Sequence, residues 1–201
     1  MSFTLYDASI PILLSGLQSL LNIVAKLELF ASENRVTEKE ILGWRLVEDM
    51  LPLEFQLRIV TDSAMKVAGC GLRERPEPVA NIALESLCDA REQLQHAASH
   101  LRAADRDEFS HSTDRIVSLG LGPGRGKIQV TAREYIFAWG IPTFFFHLQT
   151  TYCISRARGV ILGKRDYISP FMTPVLDEYQ EESKDFAPRY ADDKGEQEPT
   201  A

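Results

Sequence analysis

The stretch FFFHLQTTYC, Phe144 to Cys153, sets a single histidine, His147, in an otherwise apolar helical pattern. Burial lowers the pKa of an imidazole unless a carboxylate compensates. A neutral ring can then serve as a general base or as a hydrogen-bond partner. A core histidine satisfied by a facing helix leaves the same trace, because buried polar groups are paired for stability alone. The segment EDMLPLEFQLRIVTDSAMKVA, from Glu48, supplies facing groups: Asp49, Gln56 and Asp62 stand among Met50, Leu53, Phe55, Leu57, Ile59 and Val60. Asp49 and Gln56 are two helical turns apart and share a face if both are helical. The chemistry this implies is metal-free proton transfer, of an isomerase or cyclase type. His147 is the acid/base, Asp49 or Gln56 orients it, and Thr151 or Tyr152 holds a small-molecule substrate. Asp49 is also a candidate helix cap, and Asp62 reads equally as an exposed residue.

Three other patterns invite chemistry. LGKRDY, Leu162 to Tyr167, follows the last helical run. Lys164 and Arg165 can neutralise a helix C-terminus, and Asp166 can pair with either or cap a turn; Lys164 and Asp166 are carried as candidate substrate contacts. His96 and His100 are four apart on a helical pattern and can face one metal ion. No glutamate lies between them as a zincin requires, and the charged surroundings favour two surface histidines. GLGPGRGK, from Gly120, resembles a phosphate loop, but Ile128 follows Gly-Lys where Ser or Thr is needed, and a β-leaning run follows instead of a helix. A flexible turn is the better reading.

The elements that must position these residues are helical. Leu13, Leu14, Leu17, Leu20, Leu21, Val24 and Leu27 recur at three- and four-residue steps within a helix expected over 6–31. Ser9 is a candidate cap, and Pro11 suits a first turn. Thr37 with Glu40 marks a short helix. A second long helix follows Asp49, with Pro52 in its first turn, and Gly69, Gly71, Pro76 and Pro78 end it. A third is expected over 79–104. Two β-leaning runs, 116–119 and 128–130, suggest a small hairpin or extended loop. Thr131 with Glu134 opens the last helical region, which Gly140 and Pro142 should kink or restart. Gly159 is placed to end it as a left-handed cap. The acidic residues beyond Pro170 read as a mobile tail, giving a domain over 1–170 and a tail over 171–201.

Composition narrows the function classes. The 201 residues carry a formal net charge of -7, which argues against nonspecific nucleic-acid binding. No uninterrupted apolar run of about 20 residues is seen, so no membrane span is expected. The opening MSFTLYDAS lacks the basic and apolar regions of a secretory signal. Three cysteines at unrelated spacings form neither a disulfide framework nor a zinc motif, so a reducing, cytoplasmic setting is expected.

LYDASIPILLSGL, DMLPLEFQLRIVTD and FFFHLQTTYCISRARGVILGKRDY resemble, in that order, the uncharacterised DUF1993 family of the DinB/YfiT-like four-helix-bundle proteins. The resemblance runs from about Tyr6 to Ile168, and LGKRDY is its most specific element. It implies an all-α, antiparallel four-helix bundle with a short hairpin before the last helix, and a homodimer. Better-known relatives bind a divalent metal through one histidine on the second helix and an HxxxH pair on the last. Some are hydrolases, isomerases or thiol transferases. Here the pattern meets His147, then Thr151 in place of the second histidine, with Gln56 nearest the second-helix position. Threonine and glutamine are poor ligands for a first-row metal, and His96 and His100 fall on the wrong helix. The fold is therefore expected to transfer and the metal chemistry is not, leaving no cofactor. The remaining readings are a degenerate divalent-metal enzyme and a noncatalytic dimeric interaction protein.

Overall fold

The computed structural model describes residues 3–71, 83–122 and 124–183. In chain order these hold α1 (Leu5–Asn34), α2 (Glu38–Leu42), α3 (Leu53–Gly71), α4 (Leu87–Arg102), α5 (Arg106–His111), β1 (Ile116–Gly120), β2 (Lys127–Thr131), α6 (Ala132–Tyr135), α7 (Ile141–Ala157) and α8 (Lys164–Ser183). The fold is an all-α bundle of α1, α3, α4 and α7, with α8 laid against α1.

Cross-contacts give the helix directions. Asp7 pairs with Arg106 just beyond α4, and Glu28 pairs with Arg91 near its start, so α1 and α4 are antiparallel. Gln56 meets His147, and a Cβ on Gly140 would strike Val67, so α3 and α7 are antiparallel as well. Glu54 at the start of α3 accepts from the Leu84 amide just before α4, while Gly71 at its end abuts Phe109 of α5. Thus α3 and α4 run parallel.

Helix α1 is the central element. Leu13, Leu17, Leu20, Val24 and Leu27 are all fully buried, each contributing roughly 1.5–3 kcal/mol relative to exposure. Its N-cap is Thr4, not Ser9. Thr4 and Asp7 form a reciprocal capping box, whereas Ser9 is buried and donates to the Leu5 carbonyl. Pro11 lies inside the helix. By length and composition alone α1 could cross a membrane, although polar residues such as Gln18, Asn22 and Lys26 interrupt its apolar run. Half of its apolar window is buried within the bundle, as befits a core helix.

Other boundaries also shift. Thr37 caps α2 by accepting from the Glu40 amide. Helix α4 begins at Leu87 under a Ser86–Asp89 capping box; the expected start at 79 lies outside the described residues. The two β-leaning runs pair as an antiparallel hairpin, with Val117 opposite Val130. Its connection turns on Gly122, Gly124 and Gly126, all at positive φ, and leads into β2 where a phosphate loop would feed a helix N-terminus. Thr131 and Glu134 form the expected capping box of α6.

The interruption at Gly140 and Pro142 is a π-turn over Ile136–Gly140, in which the Ile141 N–H donates to the Ile136 carbonyl five residues back. The wider turn accommodates Pro142, which has no N–H to donate, and the helix continues into α7 without a break. Gly159 (φ 91°) ends α7. Val160 N–H donates to Ser155 and Gly159 N–H to Arg156, the paired bonds of a Schellman motif.

The division at residue 170 falls within α8, which carries Pro170 and Pro174 internally and runs to Ser183. Tyr167 and Phe171 stack on each other and reach Tyr152 and Phe145 of α7. Aromatic anchoring of this kind explains why a segment poor in aliphatics is helical here. The rest of the expected tail, from 184, lies outside the described residues.

Candidate functional site on the α3–α7 seam

The three phenylalanines before His147 separate because each helical step turns the chain by about 100°. Phe144 is fully buried against Gly16 of α1, where a Cβ would lie 2.4 Å from its ring. Phe145 faces α8, and Phe146 is 59% exposed. His147 is then left half-buried on the flank facing α3.

Its Nδ1 lies 2.7 Å from Gln56 Oε1. Gln56 is buried, and its Nε2 donates to the Leu51 carbonyl at 2.9 Å. A carbonyl only accepts, so the amide nitrogen must face Leu51 and Oε1 must face His147. Oε1 only accepts in turn, so His147 Nδ1 carries the proton. Nε2 then holds the lone pair, and no partner engages it among the described residues. The ring meets Phe55 and Phe146 edge-on, with centres 6.0 and 5.1 Å away. Burial without a compensating carboxylate lowers the His147 pKa to about 4, so the ring is neutral at pH 7.

One turn on, Thr151 is fully buried, and its Oγ1 has no hydrogen-bond partner among the described residues. Its neighbours behave differently. Thr150 donates to the Phe146 carbonyl, and Ser155 donates to the carbonyl of Thr151 itself. A buried hydroxyl left unpaired costs about 1–3 kcal/mol, so each such group calls for an explanation. His147 and Thr151, four apart, lie on one helix face.

The remaining candidates are not brought to this face. Asp49 is exposed in the turn before α3, which starts only at Leu53. Pro52, expected in the first turn, instead lies just outside and gives its carbonyl to the Gln56 amide. Asp49 therefore neither caps the helix nor shares a helical face with Gln56, which corrects its assignment as the orienting group. Tyr152, about 140° around α7 from His147, packs on Tyr167 of α8. Lys164 is exposed in the first turn of α8.

Asp166 serves the fold. One oxygen accepts from the Gly163 amide at 2.7 Å, and the other pairs with Lys26 of α1, also at 2.7 Å. Although partial burial opposes it, hydrogen bonds from Lys26 and Gly163 hold the carboxyl below its ordinary range. Lys26 also donates to the Ile161 carbonyl, and Ser19 donates to that of Tyr167. LGKRDY is thus a clasp fastening the α7–α8 turn to α1, and Asp166 pairs with neither Lys164 nor Arg165. Asp62, in contrast to the exposed alternative, is buried; one oxygen pairs with Lys66 and the other has no partner among the described residues.

The aromatic walls of the seam, Phe55 and Phe146, were not among the site residues identified from sequence. The only available signal was the FFF run itself, since three adjacent helical positions cannot all face inward.

A divalent metal at this face would need lone pairs converging from Gln56, His147 and Thr151. His147 turns its protonated Nδ1, not its lone pair, toward Gln56 Oε1, and a neutral hydroxyl is a poor ligand for a first-row ion. No cluster of three or more His, Cys, Asp or Glu suited to a metal occurs among the described residues. The donor set does not fit the three-histidine centre that the family resemblance brings to mind.

Grooves of about 510, 500 and 320 Å³ lie between α1 and the α7–α8 turn, beside Phe3 and Phe137, and between Arg45 and Arg158. His147 lines none of these three.

An all-α bundle of α1, α3, α4 and α7 agrees with the fold that the DinB-like resemblance implies. The chain is similar to the crystal structure of a DinB family member protein from Shewanella denitrificans, at 27% identity, with 82% of this chain and 91% of that one covered and a TM-score of 0.69. Residues 5–168 match the family model of DUF1993, a domain of unknown function, and the chain belongs to that family. No curated protein matches it.

Proposed function

We propose that this protein binds a small molecule on the α3–α7 seam. Its ligand offers a hydrogen-bond donor to His147 Nε2 and an apolar body to Phe55 and Phe146. The observation carrying this reading is the fixed tautomer. Gln56 holds the Nδ1 proton, so an unpartnered lone pair stands beside two aromatic rings. Few, well-placed polar groups on an apolar wall are the usual make-up of a ligand site. The buried, unpaired Thr151 hydroxyl is a second polar group on the same helix face.

Binding is favoured over proton transfer as the primary role. A base whose conjugate acid has a pKa of about 4 is poorly matched to chemistry at neutral pH. Isomerase- or cyclase-type catalysis at His147 requires a ligand whose negative charge raises that value. Native mass spectrometry with elemental analysis, on untagged protein purified without chelators, tests the reading. A retained organic mass that disappears in His147→Ala supports it. A stoichiometric zinc or nickel lost in His147→Ala would overturn it in favour of a degenerate metal site. The same spectra test the homodimer, proposed from the family resemblance.

A further inference from the structure

The histidine pair on α4 was set aside in sequence as two surface residues, and the seam makes no use of it. In the structure the His96 and His100 rings lie with centres 4.4 Å apart, inclined at 62°. Two imidazoles that each hold zinc at about 2.0–2.1 Å place their ring centres about 5 Å apart, so the pair stands close to a chelating arrangement already. His96 is exposed and His100 half-buried, so an ion can reach them from solvent.

The protonation pattern also suits a ligand. His100 Nδ1 lies 3.3 Å from the His96 carbonyl. A carbonyl only accepts, so Nδ1 carries the proton and Nε2 presents the lone pair. Metal-ligating histidines are characteristically held this way, through a hydrogen bond from the other ring nitrogen to a carbonyl or carboxylate. Ser99 Oγ donates to the same His96 carbonyl at 2.8 Å. One turn earlier, Gln93 Oε1 is buried and has no hydrogen-bond partner among the described residues. Gln93 stands at i−3 from His96 and i−7 from His100, on the same side of the helix. An amide oxygen there is an acceptor for a water on a bound ion.

We propose that His96 and His100 form a two-histidine chelate for one first-row divalent ion, completed by water. It is separate from the α3–α7 seam and independent of the function proposed for it. Imidazole donors favour copper, nickel and zinc over magnesium and calcium, and copper(II) should bind more tightly than zinc.

The test is calorimetric titration of untagged, full-length protein with Zn²⁺ and with Cu²⁺ in a non-coordinating buffer, paired with the thermal midpoint. The expected result is one ion per chain, tighter for Cu²⁺, with a midpoint that rises on metal addition. His96→Ala and His100→Gln should each weaken Zn²⁺ binding at least tenfold and abolish the midpoint shift. Cys88→Ser, His111→Ala and His147→Ala should leave binding within about twofold. Wild-type affinity in both His96→Ala and His100→Gln would overturn the assignment, as would loss of binding in the Cys88, His111 or His147 variant.

Discussion

His147 Nδ1 and Gln56 Oε1 meet at 2.7 Å across the α3–α7 seam, and this bond decides which ring nitrogen faces outward. Replacing Gln56 by Leu removes the acceptor while keeping a side chain of similar bulk. A partly buried donor is left unpaired, at a cost of about 1–3 kcal/mol. In long-range ¹H–¹⁵N spectra the wild type should show the Nδ1–H form of His147, and Gln56→Leu should show a tautomer mixture. An unchanged tautomer in the variant would mean that some other contact sets the ring.

The lowered pKa of His147 has a definite sign in stability. The folded ring titrates at about 4 and an unperturbed histidine near 6.5. Between those values the unfolded chain binds more protons, so stability falls as pH drops from 6.5 towards 4 and is insensitive to this group above 6.5. After allowance for solvent screening of a partly exposed ring, the loss is about 1–2 kcal/mol. Urea unfolding of wild type and His147→Gln at pH 7.5 and 4.5 isolates it. The gap between the two proteins should narrow or reverse at the lower pH, and a constant gap would refute the assignment.

Asp166 should matter to the fold and not to the seam. Asp166→Ala removes the acceptor for the Gly163 amide and the partner of Lys26. Loss of such a cap costs about 0.5–2 kcal/mol. Hydrogen exchange should quicken in the first turns of α8, while the His147 resonances stay in place. A displaced His147 signal would tie LGKRDY to the site after all.

Gly16→Ala tests the packing that aims α7. The added methyl would lie 2.4 Å from the Phe144 ring, and overpacking of a core typically costs 1–3 kcal/mol. Wild-type thermal stability in this variant would show that α1 and α7 can separate freely at that point.

Much of the fold was legible in sequence because its signals are local. The leucine spacing of α1, the Thr131–Glu134 capping box and Gly159 each act within a turn or two. The misreadings came from contacts with distant residues or from competition between neighbouring caps. Ser9 was read as the cap, whereas the capping box that Thr4 makes with Asp7 three residues on places the helix end there. Helix α8 is anchored by aromatic contacts to α7, which a count of aliphatics misses. At the site, His147, Gln56 and Thr151 were identified by residue type and helical phase. Asp49 was misplaced because its value rested on a helix beginning three residues too early. LGKRDY was noticed as a charge run, yet its partner, Lys26, lies far off in sequence on α1.

The central claim is that His147 Nε2 is a ligand-facing acceptor. Its most direct test is ¹⁵N NMR of the His147 ring during titration with a fragment set of small aromatic and aliphatic alcohols, amides and carboxylic acids. At least one fragment should shift Nε2 while Nδ1 stays protonated, with matching shifts at Thr151 and Phe55, and His147→Ala should abolish that binding. Fragments that bind only elsewhere, or that leave Nε2 unmoved across the whole set, would reduce the Gln56–His147 pair to a packing device.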